Sequence, residues 1–76
     1  MQVKVKLFAS LREEHGFQEK TLELEGLSTA ADVWEIAVAA EPPSNLLCAI
    51  NHDYADIGES VSDGDEVGFF PPVNGG

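Results

Sequence analysis

Apolar and polar positions alternate over residues 3–8: Val3, Val5 and Leu7 fall on one side, Lys4, Lys6 and Phe8 on the other. A period of two predicts a strand with one buried and one wet face. Phe8 therefore lands on the face that the two lysines mark as wet. Residues 9–15 read as one or two helical turns ended by Gly16, and within them lies Arg12, the only arginine of the chain. A second strand over residues 18–25 turns Leu22 and Leu24, with Lys20, to the core side. Too many residues separate these strands for a tight turn, but antiparallel pairing through a loop is available.

The period then changes. Thr29, with Asp32 three places on, forms a capping-box-like start, and the aspartate favours the helix N-terminus. A helix is predicted over residues 30–40, with Ala30, Val33, Trp34, Ala37 and Val38 recurring at three- and four-residue spacing as the buried stripe and Ile36 widening it. Pro42-Pro43 ends this helix. Residues 46–51 form a short apolar strand, residues 52–56 a loop or short outward strand, and Ser62-Asp63-Gly64-Asp65 a tight turn around Gly64. The last strand covers residues 66–70, with Val67 and Phe69 inward and Gly68 and Phe70 outward.

Two strands, one long helix, one or two middle strands and a final strand pack most economically as a two-layer α+β fold. With the first and last strands as parallel neighbours at the sheet centre, the fold is a β-grasp, the ubiquitin-like roll. Residues 1–70 make up this domain and residues 71–76 an extended tail. Pro71 and Pro72 cannot continue a sheet ladder and lead into a polyproline-like arm. Val73, Asn74, Gly75 and Gly76 complete it. Two residues without side chains let the backbone enter a narrow slot, with the chain's carboxylate at the tip.

Size and charge narrow the class. Seventy-six residues give one small core, and one cysteine excludes an internal disulfide and a cysteine-built metal site. The first residues begin a strand rather than a signal peptide, and no apolar run is long enough to span a bilayer, so a cytoplasmic, reducing setting is expected. Fourteen acidic residues against four basic ones leave a net charge of −10, which disfavours nucleic acid and anionic membranes and suits a partner with a basic surface.

Candidate side-chain chemistry is sparse. Cys48 reads either as a sulfur-handling thiol or as a small buried hydrophobe; nothing basic adjoins it in sequence to lower its pKa, which favours the second. His52 stands among aspartates, but with His15 as the only other histidine no ligand spacing recurs, and no metal is expected.

Three stretches together carry a family resemblance: Leu7-Phe8-Ala9-Ser10-Leu11-Arg12-Glu13, Ala49-Ile50-Asn51, and the run from Asp63-Gly64-Asp65-Glu66-Val67-Gly68 through Phe69-Phe70-Pro71-Pro72-Val73-Asn74-Gly75-Gly76. They resemble the small subunit of molybdopterin synthase, the MoaD-type sulfur carriers, along the whole chain. The thiamine-pathway sulfur carrier shares the Gly-Gly end and the fold but typically lacks the Phe-Phe-Pro-Pro and Phe-Ala-x-x-Arg-Glu stretches. Asn74 departs from the family, which usually has threonine or another small residue there.

The resemblance implies a mechanism. An ATP-using adenylating enzyme activates the Gly76 carboxylate, sulfur converts it to a thiocarboxylate, and the tail enters a large catalytic subunit to give its sulfur to a cyclic pterin phosphate. Two such sulfurs form the dithiolene that later holds molybdenum. The chain is then a non-catalytic donor in a heterotetramer, with no stably bound cofactor and with ATP consumed by the activating partner. Alternation puts Phe8 and Phe70 on one outward face, where exposed aromatics mark an interface, and the resemblance adds Arg12 and Tyr54 to that docking patch. A carrier for thiamine, tRNA thiolation or cysteine synthesis, a ubiquitin-like protein modifier, and a plain interaction domain are the competing readings.

Overall fold

The computed structural model describes residues 1–72. Its elements run β1 (Gln2–Leu7), α1 (Ser10–His15), β2 (Glu19–Glu23), β3 (Ser28–Thr29), α2 (Ala30–Val38), β4 (Leu47–Ile50), β5 (Asp53–Ala55), β6 (Ser60–Val61) and β7 (Glu66–Phe70). Five strands form one mixed sheet in the order β2-β1-β7-β4-β5. At its centre β1 and β7 are parallel, with Leu7 opposite Phe69, and every other pairing in this sheet is antiparallel. One long helix across a sheet with this order is the expected β-grasp.

The alternation of β1 and β7 decides which face is covered. Val3, Val5, Val67 and Phe69 are fully buried, and α2 closes over them with Val33, Trp34 and Ala37. The Trp34 ring meets Phe69 edge-on, with centroids 5.2 Å apart. Its indole N–H is buried without a hydrogen-bond partner among the described residues, so packing alone holds the ring.

The capping box of α2 forms as its sequence requires: the Thr29 side chain accepts from the Asp32 N–H, and the Asp32 carboxylate from the Thr29 N–H. The next two donors find tertiary partners, Ala30 N–H on the Glu59 carbonyl and Ala31 N–H on that of Ile57. The helix stops at Val38 rather than residue 40, with Ala39 left-handed at φ 58°. The left-handed turn at Ala39, whose N–H still bonds the Glu35 carbonyl, ends the helix before Pro42-Pro43 is reached.

Ile36 does not widen the buried stripe; it is 55% exposed. At 3.6 residues per turn it lies roughly 100° from the middle of the stripe, on the flank that faces solvent. Two small elements escape the sequence pattern altogether. β3 and β6 pair as a separate two-stranded sheet, Ser28 opposite Val61 and Thr29 opposite Ser60, and fix the entry to α2. No helix among the described residues is long and apolar enough to cross a membrane.

Candidate docking face and tail junction

The outer face of the sheet is built by register. Leu7 lies opposite Phe69, and the pairing continues one residue beyond β1, where the Phe8 N–H donates to the Phe69 carbonyl at 3.1 Å. Phe8 and Phe70 thus become neighbours, and their rings stack at 4.6 Å between centroids and 6° between planes. On the other side of β7, Leu47 stands opposite Phe70 and Ala49 opposite Gly68. Tyr54, opposite Ala49, leans toward Phe70 with centroids 6.1 Å apart. Phe8 is 38% exposed, Leu47 37% and Tyr54 80%, while Phe70 is half-buried beneath its neighbours. Large apolar groups gathered on an open sheet face make it a candidate contact surface.

Three of the four residues expected in the patch are therefore brought together. Arg12 sits exposed on α1, and among the described residues its side chain makes no hydrogen bond or ion pair. Leu47 is an addition that no sequence signal marked, because residues 46–51 read as an unbroken apolar run. Only its register against Phe70 turns Leu47 outward. Gly68, expected outward, does face that side but is buried beneath the rings.

A polar rim borders the aromatics. One Glu66 oxygen lies 3.3 Å from Lys6 Nζ and the other 3.0 Å from His52 Nε2. Partial burial opposes the charge on Glu66, but the hydrogen bond and charge of Lys6, followed by the charges of His52 and Lys4, outweigh it and hold the carboxyl below the usual range. His52 reaches this place through the β4–β5 turn, where Asn51 (φ 52°) and His52 (φ 72°) are both left-handed, as a two-residue hairpin loop demands. Asn51 ties the turn to β7. Its N–H donates to the Glu66 carbonyl at 2.8 Å, its side-chain oxygen accepts from the Glu66 N–H at 3.0 Å, and its side-chain nitrogen donates to Asp65 at 2.8 Å.

Cys48 faces the opposite way, 1% exposed in the core, with its thiol donating to the Ala55 carbonyl at 3.2 Å. Burial, then the charges of Glu59 and Asp56, push its pKa up, which keeps it a thiol and suits a structural part. Among the described residues no cluster of three or more His, Cys, Asp or Glu side chains could hold a metal. Pro71 and Pro72 follow directly from Phe70 and are half-buried. Val73, Asn74, Gly75 and Gly76, on which the expected chemistry falls, lie outside the described residues.

The docking face, its rim and the strand leading to the tail all fall within residues 5–76, and these residues match the ThiS family. The chain belongs to the ThiS family. Among curated relatives, this ThiS-family chain is 36% identical over 83 aligned positions to the molybdopterin synthase sulfur carrier subunit of Chlamydomonas reinhardtii, with both chains covered in full. It is 34% identical to the subunit of that name from Escherichia coli (strain K12), covering 97% of this chain and 99% of the relative. The small archaeal modifier protein 1 of Haloferax volcanii is 31% identical over 93% of this chain and 97% of its own. A crystal structure of that modifier superposes with a TM-score of 0.80 over 95% of this chain and 98% of the other, at 28% identity. The β-grasp of this ThiS-family member is thus a ubiquitin-like fold shared with sulfur carriers and a modifier alike.

Proposed function

We propose that this chain is the sulfur carrier subunit of a molybdopterin synthase. The observation that carries the reading is the end-to-end similarity to two relatives of that name, one covered in full and the other over 99% of its length. The outer face supports it, since the Phe8–Phe70 stack stands where the chain leaves the sheet for Pro71 and Pro72. A large catalytic subunit covers this face, and the tail beyond Pro72 reaches into that subunit's active site. In the same reading the assembly is a heterotetramer.

The chemistry needed at Gly76 follows from its carboxylate. A carboxylate resists nucleophiles because its negative charge opposes attack. An adenylating enzyme joins it to AMP from ATP, releasing pyrophosphate; a sulfur nucleophile then displaces AMP and leaves a thiocarboxylate. That sulfur bonds to the cyclic pterin precursor, and water then cleaves the acyl–sulfur bond, leaving the sulfur on the pterin and restoring the carboxylate for another round. The carrier brings no base or nucleophile of its own to the step; it brings position, through its docking face and a narrow tail. Val73, Asn74 and Gly75 serve as the thin connection to the reacting end.

The test is mass spectrometry of the chain after incubation with the adenylating enzyme, ATP and a sulfur donor. Exchange of one carboxylate oxygen for sulfur is expected, followed by loss of that sulfur when the large subunit and the pterin precursor are added. A chain that is never loaded overturns the reading. The similarity to a small archaeal modifier favours one second reading, attachment of Gly76 to lysines of other proteins. Isopeptide-linked adducts in cells, with no transfer to a pterin, would decide for it.

A further inference from the structure

In the middle of β7, at the centre of the sheet, stands a residue with no side chain. Glycine in a strand interior forfeits packing and adds chain entropy to the unfolded state, so it needs a reason. The backbone supplies none, since Gly68 is not among the glycines with positive φ and its conformation is open to any residue. The space above it does. A Cβ at position 68 would stand 3.0 Å from Cε2 of Phe8 and 3.8 Å from the ring of Phe70, so a side chain there would press the Phe8 ring outward by a few tenths of an ångström.

A second observation points the same way. Ala9, which follows Phe8, has φ 52° and ψ −130°, a conformation that side chains rarely take. This reversal turns the chain from β1 into α1 while the Phe8 N–H still bonds the Phe69 carbonyl, leaving the ring on the face of β7. Backbone strain at Ala9 and a missing side chain at Gly68 converge on one result, a flat Phe8–Phe70 stack.

We propose that Gly68 is the specificity-determining residue of the docking face, setting the height and tilt of the Phe8 ring and so the flatness of the surface offered to the large subunit. The inference rests on the docking reading given above. Gly68 acts through Phe8 and is a positioning residue. Its identity serves the complex at the expense of the free chain, because a side chain at this central strand position would strengthen the strand.

The test compares Gly68→Ala, Phe8→Leu and the double variant in the full chain. Thermal melting, the ring-proton shifts of Phe8 and Phe70, and the Kd for the large subunit are measured on each. Gly68→Ala is expected to melt no lower than the parent, to move both sets of ring shifts, and to weaken binding by about three- to tenfold. In the Phe8→Leu background, where no ring is left to displace, the same substitution should change the Kd little. Unmoved ring shifts in Gly68→Ala, or a loss of affinity that persists undiminished without Phe8, would overturn the proposal. If Phe8→Leu alone leaves the Kd unchanged, the docking reading fails and the specificity role with it, while the ring shifts still decide whether Gly68 seats Phe8.

Discussion

Phe69 and Phe70 are adjacent, chemically identical and in one strand, yet they face different worlds. Phe69 is fully buried against Trp34, whereas Phe70 is half-buried and stacked on Phe8 on the outer face. The pleat of a strand alternates side chains between two faces, so β7 serves two tasks with one backbone. Its inner residues hold the helix and sheet together. Its outer residues shape a partly exposed aromatic surface. The same division runs through the end of β1, where Leu7 is core and Phe8, one residue beyond the strand, is face.

The sharpest way to break this comparison is to truncate each phenylalanine in turn. Phe69→Ala should cost about 3–5 kcal/mol, enough to unfold much of a domain whose total stability is of the order of 5–15 kcal/mol or less. Denaturant titration followed by circular dichroism checks it. Phe70→Ala should instead weaken binding to the large subunit by about 2 kcal/mol, measured by calorimetry, with a smaller change in melting. A melting temperature that collapses while affinity holds would place Phe70 with the core. Cys48→Ala probes the inner face more gently. A loss of about 1 kcal/mol is expected from the smaller side chain and the lost thiol hydrogen bond, with sulfur loading of Gly76 intact. A folded Cys48→Ala chain that cannot be loaded would move the sulfur chemistry inside.

The smallest effect belongs to the rim. Glu66 has a lowered pKa when folded, so its contribution is fully present above the ordinary carboxylate pKa and fades as pH falls through the lowered value. Melting temperature followed from neutral pH into the acid range should fall less steeply for Glu66→Gln than for the parent chain. Parallel curves would mean that the Lys6 and His52 contacts add nothing to folding.

Much of this was legible in the sequence, and its limits have physical causes. Period two in residues 3–8 and 66–70 identified both faces of the central strands, because alternation is a local property that pairing does not alter. The capping box at Thr29 and Asp32 likewise depends on four consecutive residues. What stayed hidden depends on register. Leu47 joins Phe70, and His52 joins Glu66, only because β4 runs antiparallel to β7 at one offset. The β3–β6 pair comprises two residues a side, too short for any period, and it persists through its place at the start of α2. Arg12 shows the converse. The resemblance assigns it to the patch, while the isolated fold leaves its side chain on α1 without a partner among the described residues.

The parallel pairing of β1 with β7 has a consequence for how the molecule is made. Residues 4–7 must find residues 66–69 before the sheet has a centre, so its two parallel middle strands come from stretches about sixty residues apart in sequence. Closing a loop of that length precedes any reward from the contacts it creates. Without β7, β1 keeps one open edge and the core under α2 loses Val67 and Phe69. The strand that completes the fold is the one that continues into Pro71 and Pro72, so the domain has its core only when the route to the tail is already in place.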